Sequence, residues 1–299
     1  MAAVELVRTS VPVAPTRAGH DLVEALWVAR APHGAPPRVA LPDGRPAAVV
    51  RLGGAVRWVD PFSGEHEVIT SVLRGPRSAP QLLLADDADA PAWEVGARLA
   101  PWALSALHPD GFLVDDHRPL GAALGLGEGV LEARLRACWA RADGGDEPDA
   151  AGRAGAERAA AVAAARVLED ALHAAVRRPV PPAHHADLAR VVRVADAERG
   201  LLRQIDLARS VERSLASLHA LFAAYVGVTP SAYLSAVRMS CAVRELGVDD
   251  RGDAARVVAV LRSYVDAGYA PREVERFTGL SALDLRRSVR GMEVLLATV

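Results

Sequence analysis

DLARSVERSLASLHALFAAYVGVTPSAYLSAVRMSCAVREL, residues 206–246, decides the fold of the carboxy-terminal part of this chain. Leu207 and Val211 share a face at i, i+4 spacing and predict a short helix over 206–211. A break at Glu212-Arg213 follows, and Ser214 is placed to N-cap a second helix by accepting the free N–H groups of its first turn. Leu215, Leu218, Leu221, Phe222 and Tyr225 repeat every three or four residues, a buried helical stripe. Gly227 suits the left-handed position after a helix end. Thr229 then caps a third helix with Pro230 at its first position, and Tyr233, Val237, Cys241 and Leu246 are expected to face inward.

Short helix, turn, helix is a helix-turn-helix pattern. The full string is more specific: Ser214-x-x-x-Leu218-x-x-Leu221-Phe222, then Tyr225-Val226-Gly227-Val228-Thr229-Pro230-x-x-Tyr233-Leu234, then Arg238-x-x-x-Ala242. It resembles the first helix-turn-helix and connecting helix of AraC/XylS-type transcription regulators, closely over 206–246 and more loosely beyond. The resemblance implies a bacterial DNA-binding regulator with two helix-turn-helix units joined by the helix after Pro230. Members usually carry Arg two residues after the serine and again before the Leu-Phe pair; here those positions are Ala216 and Ala220. Arg reads guanine bidentately and supplies phosphate attraction, so the first DNA-facing set reduces to Arg213, Ser214, Ser217 and His219.

The whole chain sets bounds on this reading. Its 299 residues suit two domains, and 51% apolar with 24% charged residues describes a globular protein. The formal net charge is −2, and every residue of the Lys+Arg total is Arg. From Ala195 to Val299, 14 Arg stand against 13 Asp and Glu, a net of +1 and a thin footprint for a nucleic-acid partner. Cys138 and Cys241 lie far apart in apolar helical contexts, so neither a disulfide nor a metal cluster is expected. The first residues lack the pattern of a signal peptide, and no apolar run is long enough to span a membrane. A cytoplasmic, nucleoid-associated protein is the expectation.

The amino-terminal part reads as short strands separated by turns. Residues 1–20 are Pro-rich and extended, with an edge strand. Residues 22–31 are a strand or a short helix. Strands are expected over 38–41, 47–52, 55–59, 68–73, 81–85 and 93–99, with Pro42-Asp43-Gly44, Gly53-Gly54 and Gly75-Pro76 as turns. Such spacing indicates a β-sandwich or barrel, and residues 101–108 turn helical. Val23-Glu24-Ala25-Leu26-Trp27, Leu41-Pro42, Gly75-Pro76 and Val95-Gly96-x-x-x-x-Pro101 are similar to an uncharacterised amino-terminal module on an actinobacterial-type branch of AraC-like regulators. That likeness implies a cupin-like sensor or dimerisation module. Relatives usually have Gly where Trp102 stands, so Trp102 is expected to block or reshape any site there.

Enzymatic motifs are weak. His66, between Glu65 and Glu67, sits apart from His108 and His117, and no H-x-H pair offers the converging ligands of a metal cupin. Gly64-Glu65-His66-Glu67 is expected in an exposed hairpin, and His184-His185 at a helix start. Asp86, Asp87, Asp89, Asp115 and Asp116 fall in polar turns. The Gly121–Gly129 run follows no clear strand, which a phosphate-cradling loop would need. No cofactor, metal or catalytic residue is expected.

Residues 131–142 are helical, with Leu131, Leu135, Cys138 and Trp139 on one stripe. Residues 143–155 read as a linker. A long Ala-rich helix follows over 156–178, with Val162, Ala165, Leu168, Leu172 and Val176 facing either their own domain or a second copy; the resemblance favours the second. Pro181-Pro182 ends it. A further helix over 184–198 opens the carboxy-terminal half. Beyond the polar turn at 247–252 and a helix over 254–267, PREVERFTGLSALDLRRSVRG (271–291) reads as a second helix-turn-helix. Pro271 starts it, Gly279 turns it, and Ser281 caps a helix ending near Gly291. Ser281, Arg286, Arg287 and Arg290 form the second DNA-facing set, while Arg238 and Arg244 brace the connecting helix or touch phosphate.

The expectation is an α+β protein: a β-rich sensor module (1–130), a helical linker with a dimer helix (131–182), and an all-α double helix-turn-helix domain (183–299). Its partners would be double-stranded DNA, a small-molecule effector, RNA polymerase and a second copy, with no membrane. The alternative is a degenerate helix-turn-helix protein that pairs with another regulator and reads no DNA.

Overall fold

The computed structural model describes residues 10–15, 22–31, 36–53, 55–85, 92–108, 111–142, 150–248 and 253–298. Asp86, Asp87, Asp89 and most of the expected linker lie outside them. The strands are β1 (Ser10–Val13), β2 (Val23–Ala31), β3 (Arg38–Ala40), β4 (Ala47–Leu52), β5 (Val56–Val59), β6 (His66–Ile69), β7 (Val72–Arg74), β8 (Gln81–Ala85), β9 (Ala92–Leu99) and β10 (His117–Pro119). The helices are α1 (Ala103–Leu107), α2 (Leu120–Ala123), α3 (Val130–Ala142), α4 (Ala150–Ala174), α5 (Pro182–Ala197), α6 (Gln204–Ser210), α7 (Leu215–Tyr225), α8 (Pro230–Arg244), α9 (Ala254–Asp266), α10 (Pro271–Thr278) and α11 (Ala282–Leu296).

Two antiparallel sheets form a sandwich, one ordered β1-β2-β9-β4-β7-β10 and the other β3-β8-β5-β6. Four layers result, because both sheets are covered on both faces. Leu26, Val28, Val50, Val95 and Leu99 of the larger sheet pack under Leu104, Leu135, Leu168 and Leu172 of the helices α1, α3 and α4. Trp27, Ala29, Val49, Val56, Trp58 and Ile69 fill the space between the sheets. The period-two alternation then turns Val59, Leu82 and Leu84 outward, where they meet Met239, Val257, Leu261, Leu285 and Met292 of the carboxy-terminal helices. The expected α+β class is therefore found, a β-rich amino-terminal part followed by an all-helical one, and residues 22–31 are strand rather than helix.

Two of the quoted motifs, one in a strand and one in a turn, are packing devices. Gly96 sits opposite Trp27 in the β2–β9 register, and a Cβ there would lie 2.0 Å from the Trp27 ring. That close approach lets Trp27 Nε1 donate to Glu94 Oε1 at 3.0 Å. The Leu41–Arg45 turn docks on the carboxy-terminal half. Gly44, at φ +73°, lies flat against the Tyr233 ring, and Arg45 is 3% exposed beside it.

Several expectations need correction. Residues 68–73 are not one strand: β6 pairs with β5 in the smaller sheet and β7 with β4 in the larger. The chain crosses between sheets at Thr70-Ser71, so Ile69 and Val72 both reach the inter-sheet core. α4 begins at Ala150, inside the stretch read as linker. Its apolar stripe, with Ala161, Ala164, Ala165, Leu168 and Leu172, is buried against the chain's own larger sheet and α3, and is not free for a second copy. Leu246 is 53% exposed because α8 ends at Arg244, before its turn of the helix comes round. α11 runs through Gly291 to Leu296. Trp102 is buried among Leu188, Val191 and Leu221 with Ala100, and meets the His185 ring edge-on at 5.1 Å. Among the described residues, no single helix is long and apolar enough to cross a membrane.

Candidate nucleic-acid interface

Two helix-turn-helix units stand in the carboxy-terminal half, α6–α7 and α10–α11. Local chemistry builds both. Ser214 Oγ accepts from Ser217 N at 3.1 Å to cap α7. Thr229 Oγ1 does the same for α8 through Ala232 N at 3.1 Å, with Gly227 at φ +83° in the preceding turn. In the second unit Gly279 takes φ +76° after α10, and Ser281 Oγ accepts from Asp284 N at 3.1 Å to cap α11. Gly279 cannot carry a side chain, since its Cβ would sit 2.1 Å from the Ser235 carbonyl of α8. The turn of the second unit is thereby pressed onto the connecting helix.

The first unit presents little charge. α7 contains no charged residue (LASLHALFAAY). Its exposed side carries Leu215, Ala216, His219, Ala220, Ala223 and Ala224. Arg213 is turned sideways, its Nε donating to Asp187 Oδ2 of α5 at 2.6 Å and its Nη1 to Ser217 Oγ at 3.4 Å. His219 stays exposed, with Nε2 2.9 Å from Gln204 Oε1 of α6. Arg213, Ser214 and Ser217 thus cluster at the start of α7, held by one another, and His219 points out one turn later.

The second unit is different. Arg286, Arg287 and Arg290 are exposed on α11, and Arg272 and Arg276 are exposed on α10. Among the described residues, the three α11 arginines make no hydrogen bond or ion pair. Ser281 shares its hydroxyl with Asp284, donating to Oδ2 at 2.7 Å while accepting from the backbone. Of the connecting helix, Arg238 braces: it reaches the Glu275 carbonyl of α10 at 3.3 Å and the Leu234 carbonyl at 3.4 Å. Burial lowers its pKa from the ordinary value, with Glu275 opposing. Arg244 is exposed and touches its own helix at Ser240 and Cys241.

Sequence reasoning missed what lies beside α11. The β5–β6 turn, Pro61–Gly64, runs against the carboxy-terminal end of that helix, and Arg287, Arg290 and Val294 face Phe62 across an open groove of about 550 Å³. Gly291 makes the approach possible, since a Cβ there would be 1.8 Å from the Pro61 carbonyl oxygen. Gly291 reads in the sequence as a helix end; α11 continues through it, and a glycine inside a helix costs about 1 kcal/mol against alanine and so asks for a packing reason. Gly291→Ala is therefore expected to destabilise the chain by about 1–3 kcal/mol in urea unfolding, against its gain in helix propensity. A stabilised variant would show that the β5–β6 turn does not press on α11.

Among the described residues no group of three or more His, Cys, Asp or Glu could hold a metal ion. No protein-family model matches the sequence, and no curated protein matches it. Among solved structures, the chain is similar to an apo variant of ToxT from Vibrio cholerae, with 10% identity over 89% of this chain and 92% of that one and a TM-score of 0.39. The AraC-like transcriptional activator CuxR aligns with 12% identity over 66% of this chain and 70% of its own, at a TM-score of 0.29. A 2-hydroxyethylphosphonate dioxygenase aligns with 18% identity over 70% and 42%, at 0.19. Superpositions this loose carry no argument by themselves, and the functional reading rests on the chain's own geometry.

Proposed function

We propose that the chain is a sequence-specific, double-stranded DNA-binding transcription regulator of the AraC type, with α11 as its principal reader. One observation carries this: a capped helix in the second position of a helix-turn-helix presents Arg286, Arg287 and Arg290 exposed and without partners among the described residues. Reading helices place their first turns against base edges in the major groove, and exposed arginines supply both the phosphate attraction and the guanine hydrogen bonds. Ser281 lies at the helix start, where backbone N–H groups also favour phosphate. In this reading the first unit positions: Arg213, Ser214, Ser217 and His219 make a few polar contacts, and the alanine face of α7 lies close to the duplex. A small-molecule effector acting on the β module, a second copy, RNA polymerase and a cytoplasmic, nucleoid-associated setting belong to the same reading.

The uncharged α7 also favours a second reading, in which that face packs on another regulator and the chain reads no DNA. Selection from random duplexes with the purified full-length chain separates the two. An enriched motif at low salt is the expected result. Enrichment of nothing would leave the protein-interaction reading.

A further inference from the structure

A cleft of about 670 Å³ opens where the edge strand β10 of one sheet nears β5 and β6 of the other. Its floor is unusual. Arg77 is only 5% exposed and stacks on the Trp58 ring, its guanidinium carbon 4.3 Å from the centroid. Only Nη1 is used, donating to the Asp115 carbonyl at 2.9 Å. Its Nε and Nη2 are buried and have no hydrogen-bond partner, and the same holds for Trp58 Nε1 and Gln81 Oε1 on the same floor. Leaving such groups unmade costs about 1–3 kcal/mol each, so four of them on one cleft floor ask for an explanation, and a ligand that pairs with them is one. Burial and the neighbouring Arg74 push the Arg77 pKa down to about 10, so it remains charged at neutral pH.

The rim has the opposite sign. Asp60, Glu65, Glu67, Asp115 and Asp116 surround the opening with His66 and His117. Glu67 pairs with His117 at 3.2 Å. Asp60, Asp115 and Asp116 each spend one oxygen on a backbone N–H at 2.7 Å, to Phe62, Ser78 and His117. A simple anion heading for Arg77 would pass this rim against repulsion, and a simple cation would meet the guanidinium below. One face of Trp58 is already covered by Arg77, which leaves little ring for a sugar to stack on.

We infer that this cleft binds a small zwitterion of the α-amino-acid class. Its carboxylate takes the unpartnered Nε–Nη2 edge of Arg77, a fork that donates to two oxygens. Its ammonium turns outward to the second oxygens of Asp115 and Asp116. The site is separate from α11 and stands whether or not the chain reads DNA; only its meaning as an effector site rests on the proposed function.

The test is thermal unfolding and calorimetry of the full-length chain with each of the twenty L-α-amino acids, beside acetate, methylamine and inorganic phosphate. At least one amino acid is expected to bind one-to-one and raise Tm, while acetate, methylamine and phosphate leave it unchanged. Arg77→Lys keeps the charge and loses the fork, and is expected to weaken binding by about tenfold or more. Asp116→Asn keeps the turn's acceptor and removes a rim charge, so it serves where Arg77→Lys fails to fold, and weakens the amino acid in the same direction. Binding by none of the twenty, an equal shift with phosphate, or affinity untouched by Asp116→Asn would each overturn the assignment.

Discussion

Replacing Arg286 and Arg287 together by alanine is expected to lower DNA affinity roughly a hundredfold or more at moderate salt, at about 1–3 kcal/mol for each base-reading arginine. The slope of log affinity against log salt should flatten by about 0.9 for each phosphate that is no longer neutralised. The effect is large because the first unit and the connecting helix's brace offer little charge in their place. α7 carries no charge, Arg213 is held by Asp187, and Arg238 is spent on α10. Stability should hardly move, within about 0.5 kcal/mol, because both side chains are exposed and make no ion pair among the described residues. The double variant, with Arg290→Ala as a third step, is read by titration of the selected duplex at several salt concentrations. Undiminished affinity with an unchanged slope would remove α11 from the interface and place the DNA contacts on another surface of the chain. The β5–β6 turn adds a distinction within the helix. Arg290 and Arg287 face Phe62 across the groove, whereas Arg286 does not line it, so Arg286 is expected to cost the most among single replacements.

What the sequence disclosed depended on how local the physics was. Ser214, Thr229, Pro230, Gly227, Gly279 and Ser281 each act within a few residues, and all stand where their cap and turn chemistry put them. Strand alternation was legible too, but its consequence was not. Leu82 and Leu84 face away from the inter-sheet core, which looks like ordinary half-exposure until the carboxy-terminal helices cover them. The 68–73 run failed for a related reason. A continuous apolar stretch cannot reveal that its two ends pair with different sheets, since nothing in Thr70-Ser71 forces a turn. The cleft above Arg77 was invisible for the same cause. His66, Asp115 and Asp116 read as separate polar turns, and only the meeting of β5, β6 and β10 brings them round one guanidinium.

The seam between the halves yields the second large effect, because it concentrates charge in a buried turn. Arg45 donates through Nε to Glu24 Oε2 at 3.1 Å, through Nη1 to the Asp43 carbonyl at 3.1 Å, and through Nη2 to Asp196 Oδ2 of α5 at 2.5 Å. Its guanidinium also lies 5.6 Å from the Tyr233 centroid on α8. Burial opposes the Arg45 charge, yet the carboxylates around it carry its pKa above the ordinary value. One side chain thus ties β2, the Leu41–Arg45 turn, α5 and α8 together. Truncating one partner of a fully buried pair costs about 3–5 kcal/mol. Glu24 and Asp196 stay partly in water, at 27% and 45% exposure, so screening reduces the expected loss for Arg45→Ala to about 2–4 kcal/mol. Arg45→Met, which keeps most of the volume, should recover only the packing share of that loss. The loss is read by urea unfolding, and amide exchange should quicken first in α5 and α8, the helices that Arg45 holds. A loss under about 0.5 kcal/mol, of the size expected at an ordinary surface position, would show that the apolar seam under β8 joins the halves unaided. An intermediate result with exchange quickened only in the β module would place the strain of the lost charge on Glu24 and Asp43 instead of on the junction. The larger loss follows if the turn is the clamp. The Tyr233 hydroxyl is already buried without a hydrogen-bond partner, and removing Arg45 would leave a second polar group beside it, the Asp43 carbonyl, without its guanidinium donor.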